Sequence, residues 1–363
     1  MPLDPFFAER LRVHRQYLIG QTVARARTRF RALWPFARDA EVPAGGVPKK
    51  SAAPAGAAKP GTRARARAKH RRQALAWDRT ELRTVGTPGP DLRTTEHHLT
   101  PDGLPPFRVR VYHPHGVQTP TPAVLAFYGG AFRLGGIDYP TTDAAYRRRA
   151  ADSGVAIVAV DYALAPEHRF PVAVEQAYAA LTWLCAEARA LGLDPERLGV
   201  AGTSAGANIA AALTLVNRDR AGHPLRLQVL EVPVTDLTGA HLDLRATRAL
   251  GIPSVIALRE LRSVARTYLP RPRDARAPYA SPLRAASHEG LPPAVIFTAE
   301  YDPLRGDGDA YGAMLRAAGV DASVVRYQGV THDTPIFTGA LPAARRWHDD
   351  VVTALRRLHA AGR

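Results

Sequence analysis

From about residue 84 the chain alternates short apolar runs with stretches of helical length. Phe107-Arg-Val-Arg-Val-Tyr112 switches between apolar and polar at each step, which predicts a strand with one buried face. Ala123–Phe127 and Val155–Val160 are instead continuously apolar, the pattern of central parallel strands covered on both sides. Leu198–Ala201, Val229–Val232 and Ala294–Thr298 repeat that signal, and Ser323–Tyr327 predicts a last strand. Between them Asp143–Ser153, Pro171–Leu191, Ala205–Arg220, Asp307–Ala318 and Leu341–His359 predict helices. The alternation defines an α/β architecture, a doubly wound and mostly parallel sheet with an antiparallel start. Residues 236–280 interrupt it with an arginine-rich helical insertion, expected to form part of a lid.

The first part of the chain obeys other rules. Phe7, Leu11, His14 and Leu18 fall on one face of a helix within residues 6–37, and arginines crowd the rest. Such a basic amphipathic segment suits either an anionic membrane surface or an apolar seat over the catalytic domain as part of the lid. Residues 42–70 are rich in Ala, Pro, Lys and Arg and hold almost nothing that could fill a core, so a disordered basic linker is expected. Its charge could meet nucleic-acid phosphates, but without interleaved aromatics a solvated linker is the favoured reading. The expected division is thus 1–41, 42–70 and a catalytic domain over 71–360.

Charge follows the same division. Residues 1–83 hold 19 Lys and Arg against 6 Asp and Glu, while the remainder holds 30 against 27, so the net +16 belongs chiefly to the extension. The single cysteine, Cys185, excludes an intramolecular disulfide and sits on the apolar side of a predicted helix. A cytoplasmic setting is compatible with that. No stretch approaches the ~20 apolar residues of a membrane span, and the first residues do not read as a signal peptide. A homodimer is left open.

The chemistry begins at Gly202-Thr203-Ser204-Ala205-Gly206, which follows a strand and opens a helix. Glycines two positions either side of a serine allow a tight strand-to-helix turn that presents the hydroxyl at a helix N-terminus, where developing negative charge is favoured. A serine hydroxyl is a weak nucleophile until a base takes its proton. In this architecture an acid and then a histidine should follow, each behind a later strand. Asp302 and His332 stand at those positions and are the expected partners. The oxyanion of a tetrahedral intermediate needs donors, expected from the backbone N–H groups of Gly129, Gly130 and Ala205.

Together these segments resemble the hormone-sensitive-lipase family of α/β-hydrolase esterases over about residues 84–360. Tyr128-Gly129-Gly130-Ala131-Phe132 is similar to that family's His-Gly-Gly-Gly-Phe loop. Asp161-Tyr-Ala-Leu-Ala-Pro-Glu-His168 is similar to its Tyr-Arg-Leu-Ala-Pro-Glu-His segment, and Gly202–Gly206 to its Gly-Asp-Ser-Ala-Gly. Glu300-Tyr-Asp-Pro-Leu-Arg305 resembles its acid motif. The resemblance implies hydrolysis of short- to medium-chain carboxylic esters without cofactor, a lid built from the N-terminal helices and the insertion, and a loop-holding role for Glu167. The departures are Tyr128 for histidine, Ala131 for the third glycine, Thr203 for aspartate, Ala207 for glycine, and Asp333-Thr334 for Gly-Phe. Hydrolysis of amides or lactones, and a fold retained only for binding small molecules, are the alternatives.

Overall fold

The computed structural model describes residues 2–12 and 61–360. Beyond residue 12, the expected basic amphipathic segment lies outside the described residues, as does most of the expected linker. The linker expectation is corrected at its end: Thr62–Thr84 is helix α1, so residues 62–70 are helical rather than extended chain. Arginine and alanine alternate there, and both are strong helix formers, which a reading for core-filling residues overlooks. The functional residues below all belong to the larger of two compact units, from Arg71 onward.

Eight strands form one sheet in the order β1-β2-β4-β3-β5-β6-β7-β8. The strands are β1 Thr94–Leu99, β2 Phe107–Tyr112, β3 Thr121–Phe127, β4 Ala156–Asp161, β5 Leu193–Thr203, β6 Leu225–Glu231, β7 Ala294–Ala299 and β8 Ala322–Tyr327. β1–β2 and β2–β4 pair antiparallel, and every later pair is parallel, which is the antiparallel start the pattern predicts. β3 and β7 are buried at every position because helices cover both faces there, whereas β2 keeps its alternation.

The helices that follow are α2 Pro140–Ser153, α3 Val172–Glu187, α4 Ala205–Asp219, α5 Leu244–Ala249, α6 Ser254–Tyr268, α7 Arg305–Ala317 and α8 Pro342–Arg356. α4 is buried from Ala205 to Asn217. Its run of alanines lets the helix lie close to the sheet, and the fully buried amide of Asn208 donates to the Val234 and Ala280 carbonyls. Those carbonyls flank the 236–280 insertion, which is helical as expected and consists of α5, α6 and a short 3-10 turn. Among the described residues no helix is long and apolar enough to cross a membrane.

In an open parallel sheet, ligands bind outside the carboxyl ends of the strands. The loops after β3, β5, β7 and β8 all open on that side, and each carries one of the expected functional residues.

Candidate active site

The turn between β5 and α4 is strained. Ser204 has φ 55° and ψ −114°, a left-handed conformation that costs a non-glycine residue about 1–2 kcal/mol. Its N–H donates to the Glu231 carbonyl at 2.8 Å, which holds the turn to the end of β6. The flanking glycines are needed because the backbones nearly touch. A Cβ at Gly206 would run into the Phe127 and Tyr128 carbonyls, and one at Gly202 into the Gly206 carbonyl.

The three expected side chains converge on that turn. His332 Nε2 lies 3.0 Å from Ser204 Oγ, and His332 Nδ1 lies 2.7 Å from Asp302 Oδ2. Asp302 is buried, and its other oxygen accepts the Leu304 N–H at 2.9 Å, so the carboxylate cannot swing away. The loops carrying the pair are stitched together: Gly329 N–H donates to Glu300 Oε2 at 2.7 Å and Tyr301 N–H to the Val330 carbonyl at 2.9 Å. Burial would push the imidazole pKa down, but the Asp302 charge and hydrogen bond, with the Asp333 charge, push it up to about 9. The imidazolium is therefore the form the fold prefers. Its contribution to stability is present in full below the ordinary value near 6.5 and fades as pH rises toward 9.

The expected oxyanion loop runs beside the serine. A Cβ at Gly129 would stand 3.5 Å from Ser204 Cβ, and Gly129 and Gly130 share a cavity wall with Ser204. Ala205, the first residue of α4, is fully buried behind it. Ala131 and Phe132 are both left-handed, at φ 54° and 60°, in a turn closed by the Arg133 and Leu134 N–H groups on the Gly130 carbonyl. Tyr128, where the resembling family has histidine, fixes this loop. Its ring stacks on Tyr162 at 4.3 Å, and the two exchange hydrogen bonds: Tyr162 Oη donates to the Tyr128 carbonyl at 2.8 Å and Tyr128 Oη to the Tyr162 carbonyl at 3.2 Å. Phe132 stacks on Tyr268 at the end of α6, at 3.8 Å.

Glu167 has the loop-holding position that the resemblance implies. It accepts from Arg71 of α1 at 2.7 Å, and the same guanidinium donates to the Arg133 and Ala165 carbonyls at 3.0 and 3.1 Å. α1 is fixed a second time through Asp78, which accepts from the Thr141 N–H at 3.0 Å and its hydroxyl at 2.5 Å.

One group is not legible in the sequence at all. Glu231, at the last position of β6, is 1% exposed and sits beneath the nucleophile turn. Its Oε1 accepts from the Thr203 hydroxyl at 3.0 Å, and its Oε2 from Arg149 Nη2 and Trp347 Nε1, both at 2.8 Å. Thr203, where the resembling motif carries aspartate, thus contacts a negative charge delivered from the neighbouring strand. The partners stand 28, 82 and 116 residues from Glu231, and nothing local in a β-strand ending in glutamate marks such a hub.

Beside Ser204 opens a cavity of about 460 Å3, walled mostly by apolar and aromatic side chains of α1, α2 and the loops after β3 and β8. A strained serine on a strand-to-helix turn, a histidine and carboxylate behind later strands, and a mostly parallel sheet define an α/β hydrolase. The family model described as alpha/beta hydrolase fold matches residues 124–336. The chain is 37% identical to the carboxylesterase NlhH of Mycobacterium tuberculosis over 78% of its own length and 89% of that protein's. It is 35% identical to the ethyl acetate hydrolase of Pseudomonas putida, over 67% of this chain and 73% of that one. The solved structure of EstE1, a carboxylesterase from a metagenomic library, superposes with a TM-score of 0.73 at 36% identity, covering 81% of this chain and 98% of that one. The chain belongs to the hormone-sensitive-lipase-like family of α/β-hydrolase esterases.

Proposed function

We propose that this protein hydrolyses short- to medium-chain carboxylic esters through an acyl-enzyme on Ser204. The observation that carries the reading is the pair of contacts made by His332, one to Ser204 and one to Asp302. As Ser204 Oγ attacks the ester carbonyl, His332 Nε2 takes its proton, and Asp302 holds the ring in the tautomer that leaves Nε2 free to accept. The tetrahedral oxyanion is stabilised by the N–H groups of Gly129, Gly130 and Ala205. Collapse expels the alcohol, which takes the proton from His332. Water, deprotonated by the same imidazole, then attacks the acyl-enzyme and frees the acid. A cavity of about 460 Å3 suits arms of modest length, and the named relatives that are ester hydrolases support the substrate class.

The test is covalent. A fluorophosphonate probe is expected to label the intact protein at Ser204, read by peptide mass spectrometry, and the label is expected to vanish in His332→Ala. A folded protein that takes no label at Ser204 overturns the reading.

The acid partner has its own signature. Only the neutral imidazole can accept the proton, so turnover rises with pH through a midpoint above 6.5, in the direction Asp302 drives it. Asp302→Asn removes the charge that raises that pKa and no longer enforces the tautomer. Its rising limb is expected at lower pH, and its plateau lower by roughly 10^4-fold. A pH–rate profile measures both; an unmoved limb would show that Asp302 does not tune the base.

A further inference from the structure

The wall of the cavity beside Ser204 carries a polar patch on α2. Trp77, Leu134, Ala145 and Ile336 are among its apolar lining, while Tyr146 and Arg149 of α2 face it together with Thr203. Tyr146 and Arg149 are three residues apart on one helix and therefore share a face. Tyr146 is 95% buried by its neighbours, with 5% of its surface left, and its hydroxyl makes no hydrogen bond to any described residue. A buried phenol ordinarily finds a partner, so a hydroxyl held at a cavity wall without one is a donor kept for whatever enters. Burial, the larger influence, keeps this phenol protonated, so it stays a donor throughout the working pH range.

Arg149 sets the sign of what can enter. It is 8% exposed, and among the described residues the only hydrogen bond of its guanidinium runs from Nη2 to Glu231, while its Nε has no partner. The Glu231 carboxylate cancels its charge locally. The patch therefore offers donors without net positive charge, which suits a neutral oxygen acceptor and gives a carboxylate little return for its lost hydration.

We propose that the arm of the ester that fills this cavity carries a neutral oxygen acceptor, a keto or hydroxyl group a few carbons from the scissile carbonyl, and that Tyr146 selects for it. This deepens the esterase reading and rests on it. Tyr146 is a specificity residue here: it touches the substrate arm and takes no part in proton transfer.

The experiment compares kcat/KM for matched esters on the full chain. p-Nitrophenyl levulinate against p-nitrophenyl valerate varies the acyl arm; acetates of a keto-alcohol and of the plain alcohol of equal length vary the other. In whichever arm occupies the cavity, the keto ester is expected to be about tenfold better. Tyr146→Phe, checked for an unchanged Tm, is expected to bring the ratio to about one. No gain in either arm overturns the proposal, with no variant required, and so does a gain that survives in Tyr146→Phe. Failure of the underlying reading looks different: neither plain nor keto ester is hydrolysed, and Ser204 takes no fluorophosphonate.

Discussion

Ser204→Ala is expected to lower kcat/KM for an activated ester by roughly 10^5- to 10^6-fold, the scale seen when a serine nucleophile is removed from a triad. What remains comes from binding and the oxyanion donors, so a measurable residue above the uncatalysed rate is also expected. The variant keeps the left-handed backbone at position 204, because alanine carries the same Cβ as serine. Ser204→Gly should be as inactive, yet it relieves the φ of 55° and gains about 1 kcal/mol, less the added freedom glycine gives the unfolded chain. Comparing the three proteins by initial rates and by thermal melting separates the two roles of the residue. Equal loss of activity with a higher Tm for Ser204→Gly shows that the strain is carried for the sake of the hydroxyl's position. Activity in Ser204→Ala within tenfold of the native protein removes Ser204 from the mechanism.

Glu231→Ala is the second large effect, and it falls on stability. The deletion strips a charge partner from Arg149, which is 8% exposed, and leaves Trp347 Nε1 and the Thr203 hydroxyl without acceptors. Breaking a buried ion pair from one side costs about 3–5 kcal/mol, because the other charge stays behind without compensation. That is a large part of a domain's total stability, so much of the protein should populate unfolded forms on mild heating. Glu231→Gln keeps the shape and one acceptor oxygen but turns an amide NH2 toward other donors, so a smaller loss is expected. Denaturant titration ranks native, Gln and Ala; a Glu231→Ala protein within 1 kcal/mol of native (about) would show that the network relaxes around its loss.

Much of the architecture can be read along the chain, and the exceptions share a cause. β3, β4 and β7, with the Leu198–Ala201 part of β5, are visible because burial on both faces demands unbroken apolar runs. β1, Thr-Thr-Glu-His-His-Leu, leaves little trace, since an edge strand pairs on one side and faces solvent over much of its length. α1 carries no strong apolar stripe, and its first part, residues 62–70, reads as linker from composition, although the helix runs on through Arg71, Trp77 and Asp78, which reach the oxyanion loop, the cavity and α2. In the site the division is similar. Ser204, Asp302 and His332 stand out because chain order and strand ends dictate where they must fall. Glu231, Arg149 and Trp347 meet only in three dimensions, and Tyr146 becomes notable only once its hydroxyl is found without a partner. Tyr128 is visible as a departure from the family loop, but its stacking on Tyr162 is what gives the departure a purpose.

The guanidinium of Arg71 holds the carbonyl of Arg133 on one loop and that of Ala165 on another, while its own backbone belongs to α1. That one side chain therefore ties α1 to the turn that follows Gly129 and Gly130, beside the stacking of Tyr128 on Tyr162. The same helix lines the cavity through Trp77, so the cavity wall and the oxyanion loop share a tether. A substitution at Arg71 is therefore expected to change substrate affinity and turnover together, a linkage that neither the cavity lining nor the triad alone would show.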